Sequence, residues 1–387
     1  MTERLSVNQM SVEVHTETGD GRAGFSPGAG FSDSREDRHD AYRPADEPRG
    51  TTPFDVIYEG GKVRLRRYQA PAKLHRTPVV IVYALIKRPF VLDLSPGHSV
   101  IENLVRQGFE VYLTDWIPPS RADSWRGFDA YANQDLAKAV SAVQDFTGAS
   151  GVNLLGYCLG GMLSLVYTAL HESAVKNLVT LTTPVETDSR RNPLFRLGAR
   201  LSAAQVEWIT SIYGNCPAWL IRAGFTGMTP MSATFALQSI VRPAIARLRR
   251  TQRIKPGSRE AEIAELFEDQ QLYHAFSEWM QSDVPLAGQI ARELIGEIFA
   301  RNSLARGAFK IEGGEVNLRK ITCPLLNIIA EHDAVVAPRS SLPLIDLVGS
   351  DDKRSLVFPA GHVGAVFSSA AHRELWPQVG AWMAERD

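Results

Sequence analysis

The chain has 387 residues, a length that suits two domains or one large domain with an insertion. Hydrophobic residues make up 44% and charged residues 22%, so most of the chain can bury a core. The formal net charge of −1 argues against nucleic acid as the main partner, because phosphate binding needs a basic excess.

Residues 1–50 form a polar segment that holds few large apolar residues, and we expect this tail to be disordered and dispensable for chemistry. The segment lacks the apolar core of a secretory signal. The chain's 3 cysteines are too few and too scattered for a disulfide framework or a zinc cluster. No apolar run reaches the ~18 residues that a membrane helix needs. A cytoplasmic protein without a membrane span or a bound metal is therefore expected.

After the tail, strand and helix patterns alternate. Two short strand-like runs, at residues 56–58 and 63–68, lie on either side of Gly60-Gly61 and predict a β-hairpin. Continuous apolar runs follow, of the kind found in strands buried on both faces of a parallel sheet. These runs lie at residues 78–83, 109–114, 152–156 and 177–181, and helical spacing lies between them at 99–107, 131–146 and 161–170. The alternation predicts an α/β fold with a mostly parallel central sheet.

The pattern changes at Pro184 and stays helical and irregular to about Gly314. Strand patterns then return at 324–329 and 355–358, and a helix pattern closes the chain. We therefore predict an α/β core made of residues 51–183 and 315–387. The segment 184–314 is predicted to be a mainly helical cap inserted over one edge of the sheet.

The sequence from Gly156 to Gly161, Gly-Tyr-Cys-Leu-Gly-Gly, is a G-x-S-x-G nucleophile elbow with cysteine in place of serine. It follows an apolar strand and opens a helix, so Cys158 would project from the sheet beside a helix N-terminus that favours a thiolate. Gly156 and Gly160 would leave room where the chain turns sharply. The backbone N–H of Leu159 would supply one oxyanion donor. The alternative is a buried cysteine in a glycine-rich turn.

A nucleophilic cysteine needs a base, and in this arrangement the acid and then the histidine follow the nucleophile along the chain. Among the 9 histidines, His362 alone lies in a Gly-flanked loop after a late strand and before the terminal helix. Asp333 follows the preceding predicted strand and is the candidate acid. His332 lies in that same acid loop and is expected to be an orienting or surface residue. Cys158, Asp333 and His362 thus occur in the expected order.

The loop after the first core strand is where a second oxyanion N–H would lie, near Leu85 or Ile86. Lys87 and Arg88 could meet substrate phosphates at the mouth of the site, or they could belong to a solvated loop. A cysteine nucleophile favours acyl transfer from a thioester, because thiolate attack on a thioester is nearly balanced and the acyl group can be held and passed on.

Two further features have a structural and a functional interpretation. A cluster of basic residues in the cap could contact coenzyme A or form a solvated helix face. The other two cysteines are most simply structural. The cluster comprises Arg242, Arg247, Arg249, Arg250, Arg253 and Lys255, and the cysteines are Cys216 and Cys323.

Several stretches together resemble the polyhydroxyalkanoate synthases, specifically the catalytic subunits of the two-component types (class III and class IV). The resemblance covers roughly residues 55–387. The stretches that carry it are 82–89, 108–116, 153–161, 177–184, 214–217, 321–324 and 361–364. Some positions depart from the family pattern: Ala334 stands where many of these synthases have histidine, and Ala337-Pro338 replaces a frequent Pro-Pro. In the cap, Trp279 with Asp283 and Pro285 match only loosely, and 299–302 keeps part of the usual pattern.

The resemblance implies an α/β-hydrolase fold and polymerisation of (R)-3-hydroxyacyl-coenzyme A, most simply 3-hydroxybutyryl-coenzyme A, into polyester. Coenzyme A is then part of the substrate and product, and no separate cofactor is needed. Cys158 would carry the acyl group, His362 would be the base and Asp333 its acidic partner. The expected partners are a small second synthase subunit, a second copy of the chain and the surface of a polyester granule.

Two other functions remain open. One is hydrolysis by the same three residues, as in a thiol-type intracellular polyester depolymerase; dienelactone hydrolases resemble the elbow closely but are shorter and lack a large cap. The other is a granule-bound scaffold with a decayed site, an interpretation that Ala334 keeps open.

Overall fold

An eight-stranded sheet forms the centre of the computed structural model, which describes residues 50–187, 195, 203–226, 258–312 and 314–387. The strands are β1 (Asp55–Gly60), β2 (Val63–Tyr68), β3 (Val79–Val82), β4 (Val111–Trp116), β5 (Val152–Tyr157), β6 (Val175–Leu181), β7 (Leu325–Ala330) and β8 (Lys353–Phe358). Their spatial order is β1-β2-β4-β3-β5-β6-β7-β8. The pairs β1–β2 and β2–β4 are antiparallel and the other pairs are parallel. The predicted mostly parallel sheet is confirmed.

The predicted hairpin at Gly60-Gly61 is confirmed as the β1–β2 connection, in which Gly60 pairs with Val63. Gly61 adopts φ 59°, a left-handed conformation that glycine accepts without steric cost. A Cβ atom there would also overlap the carboxylate of Asp135. The turn thus brings the hairpin directly against the segment that leads into the second helix.

The described helices are α1 (Val100–Arg106), α2 (Leu136–Thr147), α3 (Leu159–Leu170), α4 (Ala203–Tyr213), α5 (Ala218–Thr226), α6 (Arg259–Glu268), α7 (Gln270–Met280), α8 (Gly288–Glu293) and α9 (Trp376–Ala384). Three of these helices are each extended by a separate π-helical stretch. The stretches are Asp129–Asp135 before α2, Leu294–Ala300 after α8 and Ala371–Leu375 before α9. Single helical turns occur at Pro338–Ser341, Leu344–Leu347 and Gly364–Phe367.

The core of the protein lies on both faces of the central strands. All four residues of β3 are fully buried, and so is nearly the whole of α3, which packs beside β5. This burial explains the continuous apolar runs in the sequence, since strands covered on both faces need no polar side. The sheet therefore holds the turn between β5 and α3 rigidly.

The described part of the segment predicted as a cap contains helices α4 to α8 joined by loops, and the two-residue strands Lys310–Ile311 and Gly314–Glu315 lie at its end. Helix α7 packs into the same apolar cluster as the sheet, and the ring centroid of Phe276 lies 5.2 Å from that of Phe367. The division into core and cap stays a prediction. The tail up to residue 49 and the basic cluster from Arg242 to Lys255 lie outside the described residues.

Candidate active site

Cys158 occupies the sharp turn between the end of β5 and the start of α3. Its backbone has φ 55° and ψ −118°, a conformation that costs a non-glycine residue of order 1–3 kcal/mol. The backbone N–H of Cys158 donates to the carbonyl oxygen of Leu181 on β6 at 2.9 Å. The turn is therefore tied to the sheet, and the half-buried thiol has a defined position.

The glycines around Cys158 allow backbone to pass close to backbone. A Cβ atom on Gly156 would lie 2.5 Å from the Cα atom of Gly161, and one on Gly160 would overlap the carbonyl oxygen of Val82. Since those atoms belong to main chain, they could not move aside cheaply. The prediction that Gly156 and Gly160 leave room where the chain turns sharply is confirmed.

His362 and Asp333 meet above the carboxyl ends of β7 and β8. The Nδ1 atom of His362 lies 2.6 Å from Oδ2 of Asp333. The other carboxylate oxygen, Oδ1, accepts the backbone N–H groups of Val335 and Val336, both at 2.8 Å. Both oxygens of this buried side chain are thus engaged, which fixes the direction in which Asp333 faces the imidazole.

The imidazole is held from a second side by Tyr157. The Tyr157 hydroxyl donates to the backbone carbonyl oxygen of His362 at 3.1 Å, and the two ring centroids lie 5.3 Å apart in a stacked arrangement. Sequence reasoning did not select Tyr157 for any role. Its position in the elbow, directly before Cys158, was the available signal.

Cys158 and His362 line one small cavity of about 120 Å³. Burial lowers the pKa of His362, but the Asp333 carboxylate and the Cys158 thiol raise it, to about 10. The protonated imidazole is therefore favoured beside a sulfur atom that can carry negative charge. Such an arrangement can take a proton from a thiol and stabilise the resulting ion pair.

A second cavity of about 450 Å³ also opens at Cys158 and has an almost wholly apolar lining. Ile86, Cys158 and Val335 line both cavities, so Cys158 lies where the two cavities meet. Helices α4, α5 and α8 supply much of the wall of the larger cavity through Val206, Ile209, Leu220, Ile221 and Ala291.

The predicted oxyanion donors differ in whether their residues line the two cavities. Leu159 is the first residue of α3, where backbone N–H groups have no partner within the helix. Ile86 lines both cavities, whereas Leu85 is buried and is absent from their described linings. The backbone N–H roles of Leu159, Leu85 and Ile86 stay predictions.

Lys87 and Arg88 are engaged with the protein itself. The Nζ atom of Lys87 lies 2.8 Å from Oδ1 of Asp283 and donates to the carbonyl oxygen of Met280 at 2.8 Å. Arg88 lies 3.9 Å from the buried Asp115 carboxylate. The interpretation of this stretch as a solvated loop is wrong, because both side chains are half-buried in contacts with the chain. Binding of substrate phosphates by Lys87 and Arg88 stays a prediction.

The remaining residues named from the sequence are two residues of the acid loop and the two other cysteines, and they differ in how exposed they are. His332 and Ala334 are exposed at the rim of the small cavity. Burial raises the pKa of Cys216 to about 11 and that of Cys323 to about 12, so these two thiols are poor nucleophiles at neutral pH. Cys158 is thus the cysteine that shares a cavity with the imidazole of His362.

Several cap residues line the two cavities, and two of them, Trp279 and Glu262, also hydrogen-bond to core loops at the site and were missed from the sequence as functional residues. Trp279 donates from Nε1 to the carbonyl oxygen of Arg88 at 3.1 Å, which ties α7 to the loop after β3. Glu262 on α6 is buried and accepts the backbone N–H of Gly361, the residue before His362, at 2.7 Å. A helical pattern shows neither contact, because both depend on how the cap meets the core.

The geometry agrees with comparisons to known proteins. Residues 77–368 match the model of the alpha/beta hydrolase fold family. The chain is 33% identical over 343 residues to the poly(3-hydroxyalkanoate) polymerase subunit PhaC of Allochromatium vinosum, and the match covers 87% of this chain and 90% of that protein. The chain belongs to the PhaC family. The PhaC subunit of Synechocystis sp. is 30% identical, with 85% of its length covered.

Other comparisons extend this finding. The PhaC subunit of Haloferax mediterranei is 33% identical over 341 residues, and this chain spans 65% of its length. Among solved structures, the monoacylglycerol lipase of Paleococcus ferrophilus superposes with a TM-score of 0.51 at 17% identity, covering 84% of this chain and all of the lipase. That likeness shows the fold alone. Within the described ranges, no helix combines the length and apolar character that crossing a membrane would require.

Proposed function

We propose that this protein is an acyltransferase that polymerises (R)-3-hydroxyacyl-coenzyme A, with 3-hydroxybutyryl-coenzyme A as the first candidate, through a thioester on Cys158. The observation that carries the proposal is the position of Cys158 on the strained β5–α3 turn, in one cavity with a histidine paired to Asp333. Membership of the PhaC family supports the choice of polymerisation over other acyl transfers.

The first step loads the enzyme. His362 accepts the proton of the Cys158 thiol, and the thiolate attacks the thioester carbonyl of the substrate. The N–H of Leu159 and one near Leu85 or Ile86 would stabilise the oxyanion. The carbon–sulfur bond to coenzyme A then breaks, and coenzyme A leaves with the proton from His362. The product is an acyl thioester on Cys158.

The second step joins two units. The 3-hydroxyl of an incoming acyl-coenzyme A loses its proton to His362 and attacks the Cys158 thioester, forming an ester bond and freeing the thiol. Attack by Cys158 on the new terminal thioester then releases coenzyme A and returns the lengthened chain to the enzyme. Asp333 orients His362 and stabilises its protonated form in each cycle.

The apolar cavity beside Cys158 supports this cycle. A polyester is apolar and gains free energy when it leaves water, at roughly 25 cal/mol per Å² of surface. The cavity of about 450 Å³ suits the acyl chain, while the smaller cavity at His362 suits the attacking hydroxyl. Because a long chain exceeds any closed cavity, the cap must open during synthesis.

The partners follow from the same proposal. Lys87 and Arg88 are the candidate contacts for substrate phosphates, and no cofactor other than the coenzyme A carried by substrate and product is needed. We further propose a cytoplasmic enzyme that forms a homodimer, binds a small second subunit and works at the surface of polyester granules.

The test is a paired measurement of coenzyme A release and polymer formation from 3-hydroxybutyryl-coenzyme A, with and without a candidate second subunit. Cys158→Ala should abolish both and should leave no acylated protein in the mass spectrum. Cys323→Ala, at a cysteine that lines neither cavity, is the matched control and should keep both. Acylated protein in the Cys158→Ala sample would contradict the nucleophile, and coenzyme A release without polymer would favour a hydrolase.

A scaffold without activity is distinguished by thiol titration. The proposed site predicts that one cysteine, Cys158, reacts selectively with an alkylating reagent in the folded protein. A decayed site would show no selectively reactive cysteine.

A further inference from the structure

Two glycines enclose His362, and both leave room for the same side chain. A Cβ atom on Gly361 would lie 2.9 Å from Oε2 of Glu262, and a Cβ atom on Gly364 would overlap Oε1. The Oε1 atom accepts the N–H of Gly361 at 2.7 Å. The absence of side chains at Gly361 and Gly364 thus leaves the space that the carboxyl group of Glu262, from α6, occupies.

Glu262 is a carboxyl group buried beside the candidate catalytic histidine. A buried carboxyl group is costly unless its oxygens are well paired. Burial raises the pKa of Glu262 to about 7, assisted by Glu265 and Asp333 and opposed by the Gly361 N–H and Arg259. A carboxyl oxygen can accept the Gly361 N–H in either protonation state, so the contact survives across neutral pH. The side chain also lines the small cavity with Cys158 and His362.

Helix α6 touches the histidine segment at a second point, one helical turn further along. Glu265 accepts the backbone N–H of Ser369 at 2.8 Å and also the Ser369 hydroxyl. The same helix therefore holds the chain on both sides of the short turn Gly364–Phe367. Loss of α6 from this position would release both contacts together.

We propose that Glu262 is a positioning residue, which from helix α6 fixes the loop that carries His362, so that the base is aligned with Cys158 only while α6 is seated on that loop. The inference rests on the proposed roles of His362 and Cys158.

The test measures the rate at which iodoacetamide alkylates Cys158, followed by intact-protein mass, together with thermal unfolding of each variant. Alkylation reports the thiolate that His362 generates and needs no acyl substrate. Glu262→Ala should slow it about tenfold to a hundredfold, the scale of a base misplaced by ~1 Å. Glu262→Gln keeps an oxygen that accepts the Gly361 N–H and should restore a rate within about threefold of the unmodified protein.

Gly364→Ala is the second variant. The added methyl group displaces the carboxyl group of Glu262, although the Glu262 side chain itself is unchanged. This variant should show the same slow alkylation as Glu262→Ala. Glu268→Gln, an exposed carboxylate on the same helix, is the matched control and should not change the rate. Unchanged alkylation in folded Glu262→Ala and Gly364→Ala would overturn the inference, even if their unfolding temperatures fall. If no polymer forms but alkylation still depends on Glu262, the proposed function fails and the positioning role stands.

Discussion

Replacement of Asp333 by Asn tests the orientation of His362 most directly. In the protein, Oδ1 of Asp333 accepts two backbone N–H groups and Oδ2 faces Nδ1 of His362. The Asn amide has one oxygen, which the N–H groups of Val335 and Val336 will retain. The NH₂ group of Asn then faces Nδ1 of His362 and donates a hydrogen bond to it. Because Nδ1 must be unprotonated to accept that bond, the proton of neutral His362 moves to Nε2. In that tautomer the nitrogen that should face Cys158 carries a proton and cannot act as a base.

The size of the effect follows from the cost of turning the amide over. That rotation would restore the productive tautomer but leave two buried N–H donors unpaired, at about 1–3 kcal/mol each. A total of about 2–6 kcal/mol corresponds to a loss of roughly 30-fold to 3 × 10⁴-fold in rate. We expect the full loss in chain elongation, where a hydroxyl must be deprotonated. The first acylation should lose less, because a thiol is more acidic than an alcohol.

Pre-steady-state release of coenzyme A separates the two phases: the first turnover reports acylation of Cys158, and the later turnovers report elongation. Glu331→Gln, an exposed carboxylate two residues earlier in the same loop, is the matched control and should leave both phases unchanged. Equal losses in both phases of Asp333→Asn would refute the separation. Normal elongation in this variant would refute the role of Asp333.

Three further predictions follow from the site. His362→Gln should lower turnover by about 10²–10⁴-fold, measured as coenzyme A release; near-normal turnover would make His332 the candidate base. Burial lowers the pKa of His362 but Asp333 and Cys158 raise it, from 6.5 to about 10. The protonated imidazole therefore stabilises the fold fully below about pH 6.5 and loses that contribution as the pH rises through about 10. Denaturant unfolding at several pH values should show this loss, and Asp333→Asn should reduce it. A chain that begins near Thr51 should keep turnover with and without a second subunit, and inactivity of such a folded chain would contradict the dispensable tail.

The fold could be predicted from the sequence because its signals are local. A strand buried on both faces must be apolar along its whole length, as at Val79–Val82, and a β5–α3 turn that passes another backbone must carry glycines, as at Gly156 and Gly160. Cys158, Asp333 and His362 each follow a predicted strand, in that order along the chain. The carboxyl ends of parallel strands lie at one edge of a sheet, so residues in these positions belong to the same edge. These features depend on neighbours in the chain and on the general geometry of α/β sheets.

Contacts between distant segments were decided only by the tertiary structure. Nothing near Lys87 in the chain indicates that its partner is Asp283, and nothing near Glu262 indicates that it meets the loop of His362, because each contact joins the cap to the core across about 100 to 200 residues. The glycines at 361 and 364 were recognisable as flanking His362, but the reason for them lies on a helix that packs against them only in the folded chain. The sequence by itself determined the sheet, the elbow and the order of the candidate catalytic residues. The packing of the cap decided which of its side chains contact their loops, because such contacts depend on the relative positions of elements and leave no periodic pattern.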